Sequence, residues 1–141
     1  MANIIPFSFR GELFSGTHNF ANGGDSFKIA LYTGNPYSTS STAYLTGQEV
    51  SASNTGYTTG GKVLASQAVA SGTAVASVDF ADSALASATF TAAFAAIYND
   101  TNADKLCVVL DFGGNKTATN GTFTISFPDP STPANAIISM A

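Results

Sequence analysis

The chain has 141 residues and a formal net charge of −4, with five Lys and Arg against nine Asp and Glu. This length fits one domain that can fold without disulfides or a metal. The cations are scattered, whereas a nucleic-acid binder needs clustered cations. No stretch approaches the ~18 apolar residues of a membrane-spanning helix. We therefore expect neither nucleic acid nor membrane among its partners.

Low charge is the most unusual feature of the composition. Charged residues make up 10% of the chain, against about 25% in an average protein. A surface with few charges tolerates close packing against other chains. The segment 1–7 has neither a basic start nor a long apolar core, so we do not expect a secretion signal. We expect synthesis in the cytoplasm.

The N-terminal part of the chain predicts an apolar arm followed by one short helix. The helix is predicted over Ser8–Thr17, with Ser8 as N-cap and Gly16 at its end. Phe9, Leu13 and Phe14 fall on one face of this helix. The arm, residues 1–7, either folds back onto its own domain or reaches a neighbouring subunit. The apolar anchors proposed for binding a partner in the second case are Ile4, Ile5, Phe7 and Phe9.

After the helix, the hydrophobic pattern changes to a period of two. Alternation over Phe27–Leu31 predicts a half-buried strand. Further strands are predicted at Lys62–Ala70, Thr73–Phe80, Ala88–Thr91, Ala93–Asn99, Lys105–Phe112 and Thr122–Phe127, and a short one at Ala136–Met140. Turns are predicted at residues 113–115 and 120–121. Seven or eight short strands with such turns predict an all-β, antiparallel β-sandwich in a single domain, 1–141.

The predicted core consists of strand residues with inward-facing side chains. These are Ile29, Leu31, Val78, Phe80, Ile97, Val109, Phe123 and Ile125. Cys107, the single cysteine, lies in an apolar run and is expected to be buried. The alanine-rich stretch 81–96 has helical propensity, but phenylalanine and threonine interrupt it, so we interpret it as strand.

A long polar excursion runs from residue 34 to residue 61. Structureless segments of this length are uncommon inside compact domains. It is either an excursion over the surface or a contact element that becomes ordered against a partner. Its tyrosines are Tyr37, Tyr44 and Tyr57. Exposed tyrosines could stack on sugars or anchor a protein interface, and the alternative is that the segment packs onto its own domain.

The sequence offers little catalytic chemistry. His18 is the only histidine and no G-x-S-x-G motif accompanies it, so a capping or surface role is expected. Asp100–Asp104 places oxygen ligands at alternate positions, as a calcium loop does, but Lys105 replaces the required glycine. A hairpin turn explains the same residues. We predict no enzyme activity, no catalytic residue, no cofactor and no metal site.

Several stretches together resemble a family of small virion proteins of tailed bacteriophages. A typical member would have a tryptophan near residues 83–88, which this chain lacks. The resembling stretches are Phe27–Thr33, Gly56–Leu64, Ala96–Asp100, Val109–Gly114 and Phe123–Pro128.

The resemblance implies a capsid cement, or decoration, protein with a jelly-roll-like sandwich. Such a protein binds the outside of a shell built from an HK97-type major capsid protein and stabilises that shell. It implies the virion as location, the major capsid protein as partner, and no catalytic residues. Because the strands leave sheet edges unprotected, we also expect a homodimer or homotrimer. The alternative is a carbohydrate-binding or adhesion module on a head fibre or a tail.

Overall fold

The fold is an all-β sandwich of two antiparallel sheets with one short helix, as predicted. The computed structural model describes residues 3–128 and 136–140. Helix α1 spans Phe7–Phe14. The strands are β1 Phe27–Tyr32, β2 Lys62–Val63, β3 Ala68–Ser71, β4 Ala76–Asp79, β5 Ser83–Asn99, β6 Lys105–Ile125 and β7 Ile138–Met140.

The two sheets have different sizes. One has the strand order β2-β1-β5-β6 and the other the order β3-β4-β7. The main core contains side chains from both sheets, including Ile29, Ile97 and Val78. All eight residues predicted as core are at most 9% exposed, and Cys107 is fully buried. Seven of the eight lie in the main core between the sheets, as the alternation predicted, whereas Val109 is buried in a second cluster on the other face of the larger sheet.

β5 and β6 form one long hairpin, which corrects the prediction of four separate strands. The turns predicted at residues 113–115 and 120–121 lie inside β6. Gly113 and Asn120 do adopt positive φ, at 77° and 48°. However, β5 continues without a break opposite these residues. The extra residues of β6 bulge out at the positions where the β5–β6 register shifts. Turn-forming residues opposite an unbroken strand produce bulges instead of turns.

The predicted strand Lys62–Ala70 is also divided. β2 pairs with β1 in the larger sheet, whereas β3 pairs with β4 in the smaller one. Ser66, with φ 54°, lies between them. The strands predicted at 73–80 and 136–140 are shorter, as β4 and β7. The sequence also predicts a stiff, extended connector over the proline-rich residues 128–133, which lies outside the described residues from residue 129 onward.

The polar excursion packs onto its own domain, with Tyr37 and Tyr44 on the outer face of the larger sheet and with Val50 and Tyr57 in the main core. The second apolar cluster forms on that outer face. Its members are Ala30, Tyr32, Tyr37, Ala96, Tyr98, Leu106 and Val109. β1 is therefore buried on both faces, not on one as predicted.

Candidate interaction surface on helix α1

His18 is buried, which corrects the expectation of a capping or surface role. Its Nε2 lies 2.7 Å from a Glu12 carboxylate oxygen, and its Nδ1 lies 3.0 Å from the Asn99 amide nitrogen. Because that amide nitrogen can only donate, Nδ1 is the acceptor and the proton is on Nε2. The other Glu12 oxygen accepts from Lys105 at 3.1 Å. His18 thus connects the helix to the β5–β6 hairpin.

Cys107 completes an arrangement that superficially resembles a Cys-His-Glu triad. Its sulfur lies 3.9 Å from His18 Nδ1. That nitrogen already accepts from Asn99, so it has no free lone pair to activate the thiol. Burial, together with the charges of Glu12 and Asp25, also raises the pKa of Cys107 far above its ordinary value. A thiol held in its neutral form is a poor nucleophile.

The hairpin turn at residues 100–104 is organised by Asn99, not by a cation. The Asn99 amide donates to His18 and to Asp25, and its oxygen accepts from the backbone N–H groups of Thr101 and Asn102. Asp25 also accepts from the Asn102 amide. No group of three or more His, Cys, Asp and Glu side chains that could hold a metal occurs among the described residues.

The tyrosines of the polar excursion are engaged in hydrogen bonds within the domain. Tyr32 donates to the Leu45 carbonyl at 2.8 Å, and the Leu45 N–H donates to the Tyr37 hydroxyl at 3.0 Å. The Tyr32 and Tyr37 hydroxyls lie 2.6 Å apart. Because the Tyr32 hydroxyl donates its proton to the Leu45 carbonyl, the Tyr37 hydroxyl is the donor in the contact between the two tyrosines. The three bonds close a ring that fixes the excursion on β1.

Glu49 fixes the rest of the excursion. Its carboxylate accepts from Tyr44 at 2.5 Å, from Tyr57 at 2.7 Å and from the Gly60 N–H at 2.8 Å. Tyr98 donates to the Gly60 carbonyl at 2.6 Å. Tyr37 and Tyr57 are 5% exposed and Tyr44 is half-buried. They are therefore not the exposed platform on which the sugar-stacking hypothesis depended.

The N-terminal arm folds back along the edge of the larger sheet. Ile4 and Val109 exchange two backbone hydrogen bonds, of 2.9 and 2.8 Å. Ile5 is half-buried and packs against the main core, and Phe9 is 1% exposed within it. Of the four apolar anchors predicted for a partner, Phe7 alone is exposed, at 61%.

Helix α1 begins and ends differently from the predicted helix. Pro6 is the N-cap, and the Ser8 hydroxyl donates to the Ser41 carbonyl instead of capping. The first helical N–H, from Phe7, reaches the Thr39 carbonyl. At the other end, the helix stops at Phe14, three residues before the predicted end at Thr17. Gly16, with φ 72°, lies in the terminating Schellman-type turn, as predicted, and its N–H donates to the Leu13 carbonyl.

The outer face of α1 is the candidate interaction surface. It consists of Phe7, Arg10, Gly11 and Phe14, all exposed and all on one side of the helix because of their spacing. Phe14 is 89% exposed, so its predicted place on the same face as Phe9 is wrong. A residue two turns after Phe7 lies on the same side of the helix, while Phe9 points to the core. The helical spacing in the sequence contained this information.

Two open grooves elsewhere on the surface have few titratable side chains in their lining. One lies along β6 and includes Phe112, Lys116 and Phe123 in its lining. The other lies between the smaller sheet and Phe20 and includes Val69 and Met140. Neither groove is lined by more than one titratable side chain.

No family model, curated protein or solved structure matches the chain. Among the described residues, no helix is long and apolar enough to cross a membrane.

Proposed function

We propose that this protein is a capsid cement protein that binds the outside of an HK97-type shell of a tailed bacteriophage and stabilises it. The observation that carries the proposal is the outer face of α1. Two phenylalanine rings, 61% and 89% exposed, lie on a helix that is itself rigidly held. Isolated exposed apolar side chains are common, but paired aromatic rings on one face are typical of a protein interface.

The anchoring of α1 fits a role in transmitting mechanical load. Phe9 holds the helix to the core, and Glu12 joins it to His18 and Lys105 on other elements. Backbone hydrogen bonds at Ile4 and Phe7 hold the preceding arm. A force applied to the outer face of α1 is thereby passed to the β-sandwich.

The composition supports the same proposal. With few charges on its surface, the protein can lie close to neighbouring subunits and to other copies of itself without strong repulsion. We propose that each copy binds across boundaries between major capsid subunits, as a dimer or trimer. Many modest contacts then act together through avidity.

The direct test is addition of the purified protein to purified empty shells that lack it. We expect saturable co-sedimentation with expanded shells and a higher temperature of shell disruption. Loss of binding in a Phe7→Ala/Phe14→Ala double variant that unfolds at the wild-type temperature would support the role of α1. Absence of any co-sedimentation of the wild-type protein would contradict the proposed function.

A further inference from the structure

Gly11 is placed where neither the fold nor the helix requires glycine. It lies inside α1, and a side chain added there would meet nothing within 4 Å. Its φ is not positive, in contrast to that of Gly16. Glycine in a helix interior destabilises the helix relative to alanine. Nothing within the described part of the chain offsets that cost.

The position of Gly11 on the surface supplies a reason. It lies between Phe7 and Phe14, which are separated by seven residues, or about 10.5 Å along the axis. The missing side chain leaves open space above the helix backbone, between the two exposed phenylalanine residues of the same face; we call this open space the notch. An apolar side chain of a partner can enter such a notch, reach the helix backbone and contact a ring on each side.

The positive charge of Arg10, beside the notch, indicates which charged side chain a partner would present there. Arg10 lies on the same face, with its guanidinium carbon 5.3 Å from the centre of the Phe7 ring. The nearest carboxylate on the helix, Glu12, points to the other side and is engaged by His18 and Lys105. The guanidinium also donates to the Ile5 carbonyl at 3.4 Å, and among the described residues no carboxylate forms a salt bridge with it. The outer face therefore carries a positive charge, although the whole chain is acidic.

We propose that α1 binds a protruding apolar side chain of a shell subunit, which enters the notch over Gly11 between Phe7 and Phe14, and that a carboxylate next to it pairs with Arg10. The inference rests on the proposed function. It specifies the partner's side chains, one apolar and one carboxylate, and it assigns roles in recognition to Gly11 and Arg10.

The test is a graded series at Gly11, measured by co-sedimentation with empty shells that lack the protein. Gly11→Ala and Gly11→Leu add helix propensity, so thermal unfolding should shift upward by about 2–4 °C. The loss of shell affinity should increase with side-chain size, from about tenfold for alanine to at least 30-fold for leucine. A folding defect cannot produce this result, because stability and binding change in opposite directions.

Two further variants and one control complete the test. Arg10→Gln should weaken binding about fivefold and reduce its dependence on salt. Val69→Ala removes a comparably exposed apolar side chain on β3 and should leave binding unchanged. If the Gly11→Leu variant binds shells with the same affinity as the wild-type protein, this inference is wrong, while the proposed cement function stands. Failure of the wild-type protein to bind shells would overturn both.

Discussion

Asn99 is a single residue on which the connection between α1 and the β5–β6 hairpin depends. It is fully buried and uses both amide hydrogens and the amide oxygen. Asn99→Asp keeps the shape but removes both donors and places a carboxylate against Asp25. We expect a loss of about 2–4 kcal/mol in the free energy of unfolding, because buried groups lose their partners.

Denaturant unfolding measures this loss, and Asn115→Asp, at an exposed position of β6, is the matched control. The control should change the free energy of unfolding by less than about 0.5 kcal/mol. Equal effects of the two variants would show that Asn99 does not hold the hairpin turn.

The tyrosines make a prediction about pH. Burial raises the pKa of Tyr32, Tyr37, Tyr44, Tyr57 and Tyr98 above the ordinary value. A raised pKa in the folded state stabilises the fold fully below the unfolded pKa of about 10, and this stabilisation is lost as the pH rises further. We therefore expect stability to fall steeply above pH ~10.

Tyrosinate absorbance, recorded together with circular dichroism, checks this expectation. Ionisation of the tyrosines should coincide with loss of the β signal, in one cooperative transition. Independent titration near pH 10 in a protein that keeps its circular dichroism would show that the hydroxyl contacts to Glu49 and Leu45 are absent in solution.

At the scale of elements, the N-terminal arm behaves as part of the fold. Ile4 pairs with Val109, and Ile5 packs on the core. Deletion of residues 1–5 leaves Pro6 to begin α1 but removes both contacts. We expect the midpoint of thermal unfolding to fall by at least about 4 °C, with shell binding retained below the new midpoint.

The sequence predicted the sheet better than it predicted the connections. Alternation is a local pattern, so the inward faces of Ile29 and Ile97 followed from it. The continuity of β6 through Gly113 and Asn120 could not be predicted, because it depends on a partner strand remote in sequence. The buried state of Tyr37 and Tyr57 likewise depends on Glu49 and Leu45, whose positions only the tertiary fold fixes.

The candidate surface was predicted in part. Phe7 was identified from the apolar character of the arm, but Phe14 was assigned to the wrong face. The error follows from grouping Phe14 with Leu13 and Phe9, although Phe14 lies two turns from Phe7. Nothing in the sequence indicated a role for Gly11, because the open space around it is a property of the folded surface.

The outer edge of β6 makes a prediction about self-association. Ile4 and Ala43 form bridges to its first part, at Val109 and Lys105. Among the described residues, no strand pairs with that edge from 112 to 125, where the charged residue is Lys116. Such an edge is suited to pairing with another chain. We therefore expect Thr122→Lys to reduce the mass of the oligomer.

Light scattering coupled to gel filtration measures that mass. Ser71→Lys, on the exposed β3 edge of the smaller sheet, is the control and should leave the oligomer intact. A wild-type protein that is monomeric both in solution and on the shell would contradict the proposal of a dimer or trimer.

At the scale of the whole molecule, the β-sandwich holds helix α1 with the side chains of Phe7 and Phe14 exposed. The excursion, the arm and the His18 contacts all pack against the interior of the domain. Under the proposed cement function, each bound copy adds contacts between the protein and the shell. We therefore expect the temperature of shell disruption to rise with the occupancy of the binding sites.

The decisive experiment on the proposed cement function is a cryo-electron microscopy reconstruction of empty shells saturated with the purified protein. We expect ordered density for the β-sandwich on the outer surface, with the α1 face turned toward a major capsid subunit and Phe14 in contact with it. Shells without added density, or a bound protein whose α1 face points to solvent, would show that the proposal is wrong.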